Sequence, residues 1–249
     1  METQDNRKLA RELKDNLSRL MEKRKTWETH WQEVADLFLT RKSDITEGHT
    51  RGDKRNLQVF DATGTHSLEL LSSILHGSLT SSSQRWFTLR FKNAVLQDDD
   101  TAKEWLQDST DKMYLAFNRS NFQQEIFELY HDISCFGTGT MFIEADDDDV
   151  IRFSTRHIKE SYIAENSRGI VDCIYRRFKI TAKAAADKFG LENLSKALQT
   201  LYKNSMFDEV EICHVVKPRD VYNPRKLDKG NMPFVSTYFE METDHIISH

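Results

Sequence analysis

Four groups of residues have types that could do chemistry: Gly137-Thr138-Gly139, the acids Asp146 to Asp149, the nine histidines with three cysteines, and Glu12-Leu13-Lys14. A phosphate loop needs glycines that open a helix and a Gly-Lys-Ser/Thr ending. Gly137-Thr138-Gly139 instead precedes a strand-like run and has no such ending. Four successive carboxylates could attract Ca²⁺ or Mg²⁺, but the central glycine and terminal glutamate of a calcium loop are missing at the required offsets, so a solvated hairpin turn fits better. No His-x-x-x-His pair encloses a glutamate, and no cysteine–histidine cluster has zinc spacing. No serine sits in a Gly-x-Ser-x-Gly elbow, and spacing places no base beside Cys135. Glu12-Leu13-Lys14 resembles the Glu-x-Lys half of a nuclease site, but it lies on a charged helix instead of a strand. The residues therefore predict no catalytic group, no metal and no cofactor. The function classes left open are a metal-dependent nuclease using scattered carboxylates and a scaffold or adaptor with a helical N-terminal arm.

Composition narrows the class further. The chain has 249 residues, 38% apolar and 30% charged, with a formal net charge of -5. It is long enough to bury a sizeable core and more polar than an average domain, as long exposed helices would make it. Excess acid argues against a protein whose main task is holding nucleic acid. Cys135, Cys173 and Cys213 form no Cys-x-x-Cys pair, and the last two lie in strand-like runs where a free thiol is usually a small buried apolar group. A reducing compartment is expected. The N-terminus is charged and lacks an apolar leader core, and no run has the length of a membrane span, so no membrane partner is expected.

The elements that must position these residues are read from periodicity. Residues 5–39 predict one long helix, or two joined near Arg24-Lys25-Thr26. Leu9, Leu13, Leu17, Leu20 and Met21 form a narrow stripe, and Trp31, Val34, Ala35 and Phe38 a broader one, better buried than the first. Residues 41–56 read as a polar loop. Asp61 is expected to cap a helix carrying Leu68, Leu71 and Leu75, with Gly77 stopping it at the left-handed position. Residues 85–91 alternate Phe87, Leu89 and Phe91 like a half-buried strand. An acidic cap at residues 97–100 and a capping box of Thr101 with Glu104 open the next helix, and a second box, Asn121 with Gln124, opens another that Gly137 and Gly139 end. Strands follow at 140–145, 150–154, 170–179, 209–217 and 234–243. The run at 209–217 alternates Val210, Ile212, His214 and Val216 as a half-exposed strand would. Short helices are expected at 181–189, closed by Gly190, and at 191–203. The fold class is α+β, an N-terminal helical region followed by a strand-rich region, divided at 1–134 and 135–249.

Residues 59–91 organise the chain, and they carry a resemblance. Phe60-Asp61-Ala62-Thr63, the leucines from 68 to 75, Gly77-Ser78-Leu79-Thr80 and Trp86-Phe87 resemble the signature of the head-to-tail connector (portal) proteins of T7-like short-tailed bacteriophages. The likeness continues through Trp105-Leu106, Ser120-Asn121-Phe122, Glu128-Leu129-Tyr130, Phe136-Gly137-Thr138-Gly139, Ile143-Glu144 and His214-Val215-Val216-Lys217-Pro218-Arg219. Two departures concern loops: a proline expected after the Trp31 helix is missing, and Ser81-Ser82-Ser83 replaces a proline-containing turn.

The resemblance implies a structural subunit of a ring, dodecameric in full-length form, at the portal vertex of the virion. The ring is the channel for DNA packaging and ejection and the attachment point for terminase and tail. Capsid protein, scaffold, terminase and tail adaptor are the implied partners, double-stranded DNA a transient contact, and host cytoplasm the place of assembly. These residues then correspond to the outer wing, and the stem, clip and crown lie beyond His249. Phe60, Asp61, Gly77, Leu79, Trp86, Phe87, Asn121, Phe122, Gly137 and Gly139 are the expected structural and assembly positions. If buried, Trp86 should cost about 3–5 kcal/mol on replacement by alanine.

Overall fold

A computed structural model describes residues 2–48, 52–54, 59–92, 99–226 and 228–248. Parts of the expected loop (residues 49–51 and 55–56), Gln97 and Asp98 of the acidic cap, and His249 lie outside them. Among the described residues the chain forms six α-helices and seven strands in two antiparallel sheets, with helices leading and strands following. The helices are α1 (Glu2–Phe38), α2 (Thr63–Leu79), α3 (Asp100–Arg119), α4 (Phe122–Phe136), α5 (Ala182–Phe189) and α6 (Lys196–Asn204). The strands are β1 (Thr140–Asp146), β2 (Val150–Arg156), β3 (Ser161–Glu165), β4 (Val171–Thr181), β5 (Glu209–Pro218), β6 (Phe234–Glu240) and β7 (Ile246–Ser248). Two compact units emerge: Met1–Trp27 with Lys159–His249, and Glu28–Ile158. The helix α1 is continuous, and the chain passes from one unit to the other just beyond Arg24-Lys25-Thr26, where the sequence allowed a break.

The unit containing the chain ends is built on a meander of order β3-β4-β5-β6-β7. One face receives α1: Ala10, Leu13 and Leu17 pack at 0–1% exposure against Tyr162, Tyr175, Cys213, Val215 and Phe239. The other face receives α5, α6 and the turn between them through Ala182, Ala185, Leu194 and Leu198 on Phe178, Ile212 and Ile247. The strand β5 is consequently buried on both faces at its centre, Ile212 through Val215, instead of half exposed. The alternation at Val210, Ile212 and His214 was real, but Cys213 and Val215 on the opposite face are apolar too, as a doubly covered strand requires. The last strand is not left bare, since Ile246–Ser248 adds to the edge of β6. Thr181 and Ser195 cap α5 and α6, their hydroxyls accepting from Ala184 N and Leu198 N, and Gly190 closes α5 at φ 82°.

The second unit packs α2 against α4 around Trp31, Ala35, Leu39, Leu68, Phe136 and Ile158. Here Gln32 replaces the featureless loop of the sequence reading. Its buried amide donates to Ser43 O and Asp36 Oδ1, while its Oε1 accepts from Ile45 N and Thr46 N, both at 2.9 Å. The Thr101–Glu104 capping box does not form. Asp99, two residues earlier, takes the Thr101 N–H at 3.2 Å and leaves Thr101 inside the helix. Gly77 does not stop α2, which runs on to Leu79, and nothing lies within 4 Å of where a Cβ would sit.

Candidate assembly site

The expected positions Trp86, Phe87, Asn121 and Phe122 come together. Residues 85–91 carry no helix or ladder, and Phe87, Leu89 and Phe91 are their half-buried side, but the surface they lie on is helix α3, and among the described residues no strand pairs with them. Two α3 side chains stand in for a ladder. Tyr114 Oη accepts from Trp86 N at 2.6 Å and Phe87 N at 2.7 Å and donates to Phe87 O at 3.0 Å. Thr110 Oγ1 accepts from Leu89 N at 3.4 Å. The alternating pattern was legible, but a half-buried extended segment reads the same whether a strand or a helix flanks it.

Aromatic rings hold this segment to α4 and β2. Trp86 stacks on Phe122 with centroids 5.7 Å apart and on Phe117 at 6.1 Å, while Phe87 stacks on Tyr114 at 4.5 Å. Phe122 then meets Phe153 edge-on at 5.1 Å. Phe122 and Phe153 are buried, whereas Trp86 keeps 38% of its surface exposed and caps the stack from outside. Tyr114 escaped the sequence reading. Its signal was the spacing Thr110, Tyr114, Phe117, one face of α3 at intervals of four and three.

Asn121 does not complete a capping box with Gln124, since its side chain makes no cap bond. It reaches β2 instead. Its Nδ2 donates to Phe153 O and its Oδ1 accepts from Phe153 N, both at 2.9 Å, so one primary amide imitates a neighbouring strand. Two residues of β2 on, Thr155 N donates to Glu125 Oε2 and Thr155 Oγ1 to Glu125 O. The outer edge of β2 is thereby satisfied by α4 and the residue preceding it. This depends on tertiary register, which no local motif encodes.

Gly137 and Gly139 stand at the other end of α4. Gly137 takes the left-handed conformation at φ 74° and donates to Ile133 O at 3.0 Å, ending the helix as expected. A Cβ on Gly139 would lie 2.6 Å from Leu129 Cδ1, so a side chain there would have to push the end of Leu129 aside where the chain turns back along α4 into β1. Beside this turn Asp132 is fully buried, with Lys42 Nζ donating to its Oδ1 at 2.5 Å. Its Oδ2 has no hydrogen-bond partner among the described residues. Burial pushes the Asp132 carboxyl above its ordinary value even though Lys42 pulls the other way. Nearby, Cys135 is pushed to about 11, chiefly by burial and then by Asp132; in the other unit burial pushes Cys213 to about 12, so burial favours the neutral thiol over the nucleophilic thiolate at both.

Phe60, Asp61, Gly77 and Leu79 stay outside the aromatic stack. Asp61 Oδ1 accepts from Thr63 N at 2.8 Å at the start of α2, which holds its carboxyl below the ordinary range. Phe60 is 99% exposed and Leu79 is also exposed. The acids Asp146 to Asp149 form the hairpin turn: Asp146 Oδ1 accepts from Asp148 N and Asp149 N at 3.0 Å, and those two N–H groups hold its carboxyl low. Lys14 of the nuclease-like triplet is tied to Met241 O and Asp244 Oδ1. Among the described residues no group of three or more His, Cys, Asp or Glu is arranged to hold a metal ion, and no helix is long and apolar enough to cross a membrane.

A buried aromatic joint, a side-chain clamp on one strand and a glycine turn into the next make a scaffold that presents surfaces. The family model described as bacteriophage head to tail connecting protein matches residues 10–249, nearly all of this scaffold. The chain belongs to that family. Among curated connector relatives, the portal protein of Salmonella phage epsilon15 is 33% identical over 230 residues, covering 92% of this chain and 41% of the relative. The probable portal protein of Bordetella phage BPP-1 is 30% identical over 246 residues, covering 98% of this chain and 44% of its own length. The connector chain thus spans about two fifths of the length of these relatives.

Proposed function

We propose that this connector chain is the wing part of a portal subunit, which assembles into a ring at the portal vertex of a phage head and acts as a structural element without a catalytic residue. The observation that carries this reading is the family match across residues 10–249, together with two relatives named as portal proteins. Physical features favour the structural role. The polar side chains of the aromatic joint are consumed in holding backbone, and the free thiols are raised well out of the reactive range. In this reading twelve copies surround the channel through which DNA enters and leaves, with capsid protein, scaffold, terminase and tail adaptor as neighbours and host cytoplasm as the place of assembly. The net charge of -5 suits such a channel, since excess carboxylate weakens the trapping of phosphates that must slide.

Sedimentation of the product of the whole reading frame that contains these residues tests the proposal. A discrete species of many subunits is expected. A monomer under every salt and protein concentration would sink it, and Mg²⁺-dependent DNA cleavage abolished by Asp146→Asn with Asp148→Asn would favour the nuclease alternative.

A further inference from the structure

Among the described residues of the unit Glu28–Ile158, two backbone edges are left open. The first is residues 85–91. An extended chain sends the N–H and C=O of alternate residues to opposite sides. Trp86 N and Phe87 N both turn to Tyr114, so the alternation starts at Phe87; with Phe87 and Leu89 turned toward Tyr114 and Thr110, the outward side from there on belongs to Thr88 and Arg90. Both are exposed, and among the described residues their backbone groups have no partner. The second open edge is the outer side of β1, which among the described residues pairs with β2 alone.

The other sheet edges are blunted in the ways that prevent unwanted pairing. A register shift interrupts β3 at Ala164/Glu165. The strand β7 has only three residues. The outer side of β2 is occupied by Asn121 and Glu125. By contrast β1 runs seven residues in unbroken register, without proline, glycine or lysine, and exposes Ile143 at 55%.

We infer that these two edges meet between copies, residues 85–91 of one chain adding a strand to β1 of the next. The inference rests on the ring reading above. Charge selects this partner. Residues 85–92 carry Arg85, which already pairs with Asp111 at 2.6 Å, together with Arg90 and Lys92 and no acid, whereas residues 140–149 carry Glu144 and Asp146 to Asp149 and no base. Pairing either edge with its own copy would set like charges opposite each other, while pairing one with the other sets opposite charges together. Because the two edges are different surfaces of one chain, the contact is head-to-tail, the kind that repeats and closes into a ring. Backbone hydrogen bonds hold the added strand and alternate side chains set its register.

The test uses the product of the whole reading frame. Thr88→Pro removes an outward N–H that makes no bond among the described residues, and Ile143→Lys places a cation on the β1 edge. Both are expected to keep the unfolding midpoint of the unassembled subunit while lowering ring yield by about tenfold or more, since each lost ladder bond recurs at every interface. Thr88→Cys combined in turn with Met141→Cys, Ile143→Cys or Ala145→Cys should, for one of the three pairs, give a ladder of disulfide-linked oligomers on oxidation that the single variants do not give. Full ring yield from both edge variants with no ladder from any pair would overturn the inference, as would a disulfide formed only within monomers. Failure of the unaltered product to form rings at all would instead overturn the ring reading.

Discussion

The two compact units solve the same problem in opposite ways. In the unit that contains the chain ends, a five-stranded sheet is covered on both faces by helices and its edges are short or bulged, so the sheet's backbone is held within the chain, while Ile170, Phe207 and Val221 stay exposed around it. In the unit Glu28–Ile158, a two-stranded hairpin and an extended segment are held by individual side chains, Asn121, Glu125, Tyr114 and Thr110. There Leu70, Leu71, Ile74, Leu79 and Ile143 remain exposed. The first unit is a closed core. The second spends its polar side chains on holding strand-like backbone in place, and in the ring proposed above its edges are where a neighbour would pair. The difference teaches that a short recurring motif can mark a joint: Trp86-Phe87 and Asn121-Phe122 are the two halves of one aromatic contact.

Substitutions can break or sharpen this contrast. Phe239→Ala in the closed unit removes a ring at 0% exposure and should cost about 3–5 kcal/mol in urea unfolding. Trp86→Ala should cost less, roughly 2 kcal/mol, because 38% of the ring is already in water and its stacking contributes only part of the loss. This lowers the value expected from sequence for a buried tryptophan. Equal losses at the two positions would erase the distinction between the units.

Asn121→Ala should follow at about 2 kcal/mol, since it removes two hydrogen bonds and strips Phe153 of its strand substitute. Amide exchange at Phe153 is the sharper readout: protection there should be lost while Cys213 and Val215 in β5 keep theirs. Unchanged protection would mean that the hairpin stands without the clamp.

Asp132 gives a pH-dependent comparison. Its carboxyl is raised above 3.8 in the folded chain, so the native state binds its proton more tightly than the unfolded state does. The associated stability is fully present below the unfolded value and is lost as pH rises through the folded one. Urea midpoints of the natural chain measured relative to Asp132→Asn should therefore fall as pH rises from about 4 toward neutrality. A relative midpoint that rises over the same range would show that the Lys42 ion pair outweighs burial. The smallest effect is expected at Val150, a β-branched residue held at φ 71° at the start of β2. Val150→Gly should stabilise the hairpin by about 1 kcal/mol in the same assay.

Much of the fold was legible because local chemistry and tertiary packing agreed. The Gly137 stop, the Gly190 stop, the Asp146 turn and the helix-then-strand order all follow from residues acting on their immediate neighbours. Misreadings arose where two local signals competed. Asp99 displaced the Thr101 box, and Gly77 lay in a helix whose cost it could bear because no packing opposed it. The partners of Asn121 and Tyr114 are about thirty residues away, and a local pattern carries no information about them. Lys42 and Asp132, ninety residues apart, were invisible for the same reason.

Electron microscopy of the assembled product of the whole reading frame tests the central claim most directly. The account predicts a closed ring in which residues 85–91 of each copy lie against β1 of the next, with the five-stranded sheet of each copy intact. Particles that remain single subunits, or a ring in which both of those edges face solvent, would contradict it.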